Sequence, residues 1–328
     1  MKKYILLTLK FSLAILLIGW LIHQGKLDIN QAAILVDNPP LLVFGVLAWL
    51  AGPLILGAYR WGNLLAITYC KISLKKLISL QWIGAFFNTA LPGSVSGDII
   101  KTYYAIKATP DSQDKSRAIV ATIVDRIIGL YSVIIQGGAV ALVFGGIFWE
   151  NLPTRTLLGI TLSLFIGMSI LLFAIFKDKR KNGNRKSHQN QAAPSGNIFH
   201  RTSSAIRTFR GHYRAIIWLV IVSMIIQGIN LAFFILVTKQ LLPEVSIALL
   251  ALVFPLGLIL IAIPISPAGI GVGHLAFEYL LQLGGATGGA NVFNVYILVT
   301  IVLNLSGALP YLITKERGKD QESLANLS

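Results

Sequence analysis

Asp98 and Lys101 stand three residues apart in the stretch FFNTALPGSVSGDIIKTYY (86–104), and Asp125 and Arg126 are neighbours in DRIIGL (125–130). A third stretch, PISPAGIGVGHLAFEYLL (264–281), carries His274 and Glu278 four residues apart. All six are ionisable groups in otherwise apolar surroundings. In a membrane each costs roughly 2.5–3.5 kcal/mol even on the lenient insertion scale, so such residues pair, face a bundle interior and mark a pathway. Asp98 and Lys101, at i and i+3, share a helix face. Asp125 and Arg126 lie about 11 Å into a span beginning near residue 118. That depth matches the first pair, and Asp98 is expected to contact Arg126 across helices. Such a network either staples the fold or presents Arg126 and Lys101 to an anionic headgroup, whose phosphate suits the planar guanidinium fork.

The residues around these charges have roles of their own. Pro92 and Gly93 break the first apolar segment, and Ser96 or Gly97 is expected to cap the helix that follows. Ser266 and Pro267 fit the N-cap and first position of another helix, whose positive end favours an anion. Gly269, Gly271 and Gly273 either leave backbone amides exposed or allow close helix packing. Their spacing is not GxGxxG and no strand precedes them, so no dinucleotide site is expected. His274 and Glu278 are placed to share a hydrogen bond. With no third ligand nearby, neither a metal nor any other cofactor is expected. Asn88, Gln227 and Asn230 either line the same chamber or bond neighbouring helices.

The elements that must position these groups are membrane helices. The 328 residues are 55% hydrophobic and 12% charged, with mean hydropathy +0.72; soluble domains carry about twice that charge. The net charge of +15 sits in loops and not in a nucleic-acid-binding patch, so no nucleic acid partner is expected. The single cysteine, Cys70, excludes an intrachain disulfide. Six stretches reach the ~20 apolar residues of a span: about 4–22, 41–59, 118–146, 154–176, 215–238 and 292–313. The first has too long an apolar run for a cleaved leader and reads as a retained anchor.

Lys and Arg crowd the first helix's flanks, the loops near 60–76 and 107–117, the segment 177–214 and the stretch after 314. By the positive-inside rule these are cytoplasmic, as are both termini, in a bacterial inner membrane. Segment 77–107 then has basic loops on both sides and must enter and return on one face. Segment 247–283 has charge-poor loops on both sides and must dip from the other. Each has a breaker at its middle, Leu91-Pro92-Gly93 and Pro264-Ile265-Ser266-Pro267. The fold expected is all-α: one integral domain over 1–328, six spans plus two re-entrant helical hairpins of opposite orientation, with 177–214 a basic cytoplasmic linker between halves. A topology in which 77–107 is one kinked span is the alternative. Broken helices paired across two halves point to a transporter's substrate site, since non-helical backbone at membrane depth must be buried or face a water-filled cavity.

With these motifs in place, the chain resembles the membrane region of lysylphosphatidylglycerol synthases, which also occurs alone in flippase-like, or UPF0104, proteins. The match runs through Asn88, Pro92, Gly93, Gly97, Asp98, Asp125, Arg126, Gly269 and Gly271. Lys101 stands where the family often has arginine, and Gly273 and His274 stand where it commonly has an Arg-Glu pair. The resemblance implies a module that moves an aminoacylated phospholipid between leaflets. It also implies a lone transport module without the synthases' cytoplasmic aminoacyl-transferase domain.

The function expected is a lipid flippase or transporter whose partners are membrane phospholipids and a separate lipid-modifying synthase. It would run passively or with an ion, and Asp98 or Glu278 would carry a proton. A small-solute transporter is one alternative. An enzyme transferring an aminoacyl or sugar group to a lipid is another, although no acidic cluster of the kind such catalysis needs appears in the loops.

Overall fold

The computed structural model describes residues 33–68, 70–91, 95–108, 115–176, 209, 211–263 and 267–313. The expected first span, the greater part of the 177–214 linker, and Pro92, Gly93 and Ser266 lie outside them. In chain order the helices are α1 (Ala33–Asp37), α2 (Pro39–Trp49), a π-helical stretch (Leu50–Leu56) and α3 (Gly57–Ile67). Then follow α4 (Leu74–Ala90), α5 (Ser96–Lys107), α6 (Lys115–Phe148), α7 (Leu152–Phe176) and α8 (Tyr213–Leu241). The last are α9 (Ile247–Ile261), a 3-10 turn (Pro267–Gly269), α10 (Val272–Leu283) and α11 (Gly289–Leu305). No strand occurs among the described residues.

Five helical stretches are long and apolar enough to cross a membrane: Pro39–Ile67, Lys115–Phe148, Leu152–Ile170, Tyr213–Leu241 and Gly289–Ile313. Each overlaps an expected span. The first is longer than expected. It runs through Pro53, which lacks an N–H and cannot complete an α-helical ladder. The chain stays continuous there by widening into π-helix and carries on past Arg60 as α3. Outward faces are apolar at helical spacing, with Ile119, Ile123 and Ile127 on α6 and Ile217, Ile221 and Ile225 on α8 all exposed. A bundle that shows isoleucine outside and buries Lys101, Asp125 and Gln136 is arranged for a hydrocarbon solvent.

The two shorter pairs fold back on themselves. In the first, α4 and α5 run antiparallel, with Gly84 against Gly97 and Gln81 against Lys101. In the second, α9 and α10 run antiparallel, with Gly257 under Phe277 and Gly284 under Leu249. The feet of the first hairpin follow the end of α3, beside which α8 begins, as Asn63 and Ile67 share a pocket with His212 and Ala215. The feet of the second follow the far end of α8, a helix of 29 residues, some 43 Å long at 1.5 Å per residue. The feet of the two hairpins therefore lie at opposite ends of α8, and the 3-10 turn at the tip of the second touches α4 of the first.

Two apolar cores hold this arrangement. One gathers Phe234, Phe254, Phe277, Phe293 and Tyr296 where α8 meets α11 and the second hairpin. The other packs Trp61, Leu64, Leu80, Ile83 and Ala121 where α3 meets the first hairpin and α6.

Candidate functional site

Close approach of two helices creates the site. Gly84 on α4 and Gly97 on α5 lie so near that a Cβ on Gly97 would run into the Gly84 carbonyl. Asn88, one turn beyond Gly84, then reaches across the hairpin and accepts the Gly97 N–H through Oδ1 at 2.8 Å. This is a helix cap supplied by the opposite arm. The local capping expected of Ser96 or Gly97 does not occur: Ser96 is the first residue of α5, after Val95, and no side chain caps it locally.

Below this cap runs a chain of ion pairs. Arg126 Nε donates to Asp98 Oδ2, the expected interhelical contact. Asp98 Oδ1 lies 3.0 Å from Lys101 Nζ, one turn on. Lys101 also donates to Gln81 Oε1 at 3.1 Å, lies 3.9 Å from Asp125 Oδ2, and sits over the Trp61 ring at 4.8 Å. Asp125 is held in turn by Arg60, Nε to Oδ1 at 2.7 Å and Nη2 to Oδ2 at 3.2 Å. Arg60 Nη1 completes the run on Ser223 Oγ of α8 at 2.9 Å. Asp125 and Arg126 are neighbours yet serve different helices, because successive helical residues point about 100° apart. Three bases and two acids leave one positive charge in excess. Lys101 and Asp125 are buried, whereas the Arg126 side chain is 40% exposed.

Arg60 is the residue that sequence reasoning placed wrongly, in a basic loop after the second span. It lies inside α3 with its side chain 12% exposed. The available signal was the set of apolar residues at helical spacing beyond it, Trp61, Leu64 and Leu65, which continues the helix. Gln81 was also missed. It ties the site to the π-helical stretch by donating Nε2–H to the Pro53 carbonyl at 3.2 Å, while its Oε1 receives Lys101.

Asp98 and Lys101 open on a cavity of about 250 Å³ between the first hairpin and helices α2, α8 and α11. Asn88, Gln81 and Gly84 form its hairpin side; Trp49 and Pro53 another; Asn230, Phe233, Tyr296, Thr300 and Asn304 the rest. Trp49 Nε1 donates to Asn304 Oδ1 at 3.0 Å, and Asn304 Nδ2 donates to Thr89 Oγ1 at 3.0 Å. Asn230, expected to line a chamber or bond a neighbour, lines it. Gln227 lies outside it, its backbone carbonyl accepting from Gln136 Nε2.

The second motif is elsewhere, and its described residues line none of this cavity. Gly269 and Gly271 make the tip turn with φ of 75° and 87°, a conformation glycine adopts without penalty. The helix expected to start at Pro267 begins instead at Val272, because the positive φ of Ala268, Gly269 and Gly271 interrupts it. His274 and Glu278 do not bond each other. His274 Nδ1 accepts the Gly271 N–H at 3.3 Å and Nε2 faces Asn294 Oδ1 at 3.4 Å. Glu278 instead caps the start of α11, accepting from Ala290 N at 2.9 Å and Gly288 N at 3.4 Å, and from Gln282 Nε2 at 2.8 Å. Among the described residues no group of three or more His, Cys, Asp or Glu side chains could hold a metal.

Residues 7–309 match the family model of the lysylphosphatidylglycerol synthase TM region. The chain is also 26% identical over 136 residues to a UPF0104 membrane protein of Pyrococcus horikoshii, a match covering 41% of this chain and 39% of that relative. It thus spans about two-fifths of that relative's own length. No solved structure matches the chain. The chain belongs to the lysylphosphatidylglycerol synthase TM-region family, and is a multi-pass membrane protein of a lipid-related class.

Proposed function

We propose that this member of the lysylphosphatidylglycerol synthase TM-region family moves the polar headgroup of an anionic lipid between leaflets through the cavity beside Asp98 and Lys101. One observation carries the reading. The chain Arg60–Asp125–Lys101–Asp98–Arg126 has an unbalanced positive charge and opens on a polar chamber inside a bundle with an apolar exterior. A phosphate bearing one negative charge neutralises that excess. Arg126, the most accessible member, meets it first, and Lys101 receives it within. Acyl chains stay in the surrounding lipid.

The hairpins supply the moving parts. Read as re-entrant, each plugs one face of the bilayer, and their contact at the tip of the second closes the path. Opening one and then the other exposes the chamber alternately. The end of the bundle carrying Lys71, Lys75, Lys76, Lys107, Lys115, Arg117 and Arg214 faces the cytoplasm of a bacterial inner membrane by the positive-inside rule.

The test uses purified protein in vesicles with headgroup-labelled anionic phospholipid and a membrane-impermeant quencher added outside. Wild type moves the label between leaflets. Arg126→Ala, which removes the first phosphate contact, slows this at least about tenfold, the effect of roughly 1.4 kcal/mol. Equal rates in the two proteins reject the role of Arg126. Wild-type rates equal to those of empty vesicles reject lipid movement.

A further inference from the structure

The groups lining the cavity differ sharply in whether the protein already uses them. Both carboxylates of the adjoining ion-pair chain are spent: Asp98 on Arg126 and Lys101, Asp125 on Arg60 and Lys101. Asp98 is the one acidic side chain among the described residues lining the chamber. Gln81 and Asn304 use both ends of their amides. By contrast, among the described residues no hydrogen bond engages the amide of Asn230 or the hydroxyls of Tyr296 and Thr300. Asn88 commits Oδ1 to Gly97, and among the described residues nothing accepts from its Nδ2. Tyr296 lines the chamber and is 9% exposed.

We propose that the headgroup taken here is a phosphate esterified to an uncharged, hydroxyl-rich substituent, such as glycerol, inositol or a hexose, and not an aminoacylated one; this rests on the reading of the cavity as a headgroup site. A lysyl ammonium has three donors and no acceptor, and choline's quaternary nitrogen has neither. To enter, either must take a carboxylate from a network in which three bases already share two acids. A polyol hydroxyl both donates and accepts, as do the hydroxyls of Tyr296 and Thr300, while the amide of Asn230 offers both donors and an acceptor. A ligand that displaces water from the chamber must satisfy the polar groups it covers, so these four side chains select a partner that does so. Trp49 and Phe233 supply apolar wall for the C–H face of such a group. The chamber's volume of about 250 Å³ is that of about eight waters, enough for a polyol with its phosphate at Lys101.

Binding to the full chain in nanodiscs separates the classes. The probes are phosphatidylglycerol, phosphatidylinositol, lysylphosphatidylglycerol, phosphatidylcholine and phosphatidic acid with identical acyl chains, plus a polyprenyl phosphohexose. At least one hydroxylated lipid binds about tenfold more tightly than the lysyl or choline lipid, and comparison of the glycerol, inositol and hexose arms identifies the source. Thr300→Val and Tyr296→Phe each weaken that lipid about fivefold, as loss of one neutral hydrogen bond does, and leave phosphatidic acid unchanged. The wild-type ranking holds whether or not the variants fold. Lysyl or choline lipid binding as tightly as every hydroxylated one overturns the inference, as do folded variants that bind the preferred hydroxylated lipid with wild-type affinity. Because the readout is affinity, a protein that shows this ranking but moves no lipid overturns the transport reading alone.

Discussion

Arg60 shows how one side chain organises the site. It grips Asp125 with two nitrogens and Ser223 with a third, a fork that lysine cannot reproduce. Asp125 is buried, so losing its main partner leaves it dependent on Lys101 at 3.9 Å. Breaking a buried pair by removing one member typically costs about 3–5 kcal/mol. Arg60→Met is expected to lower the melting temperature of detergent-purified protein substantially, and Arg60→Lys to restore only part of the loss. A melting curve of Arg60→Met that overlays the wild type shows that Asp125 does not need this partner. At the same scale, Asp98 and Arg126 were foreseeable, because each is a charge in an apolar run and must be answered by another. Gln81 and Tyr296 were not, because nothing local distinguishes them from ordinary polar residues in a helix.

Among the elements, the hairpins carry the topology. Each returning arm is short, 12 residues in both α5 and α10, or about 18 Å at 1.5 Å per residue. That is well under the ~30 Å hydrocarbon core, so neither arm crosses alone. Single cysteines at Lys75 and Lys107, in a Cys70→Ala background, should react with an impermeant maleimide from one side of the membrane. Cysteines at Glu244 and Thr287 should react from the other. Lys75 and Lys107 labelling from opposite sides would make 77–107 a kinked crossing. The breakers were readable as Pro and Gly in apolar runs. The close seat of Gly97 on Gly84 was not, since a glycine in sequence does not announce which backbone it approaches.

For the molecule as a whole, the two halves are interlocked and not merely tethered. Helix α8 of the second half packs on α2, α3 and α6 of the first, α9 packs on α6, and α11 packs on α4. The cavity draws Trp49, Gln81 and Lys101 from one half and Asn230, Tyr296 and Thr300 from the other. Fragments 1–176 and 209–328, co-expressed with a tag on one, are therefore expected to copurify and to keep the melting behaviour of the intact chain. Recovery of the tagged fragment alone would show that the connection between the halves is required for assembly.

Much of this architecture follows from hydropathy and helix-breaking residues, which act over one or two helical turns and need no knowledge of distant neighbours. The all-helical membrane class, the two helix pairs centred on breakers and the charges that must pair are all of that kind. Tertiary structure decided what those pairs surround. It drew Arg60 inward to Asp125 across 65 residues and to Ser223 across 163. It gave Glu278 to the start of α11 instead of the chamber, and left Asn230, Tyr296 and Thr300 facing an open space. Those outcomes depend on which helix faces meet, and the same apolar periodicity is compatible with many such meetings.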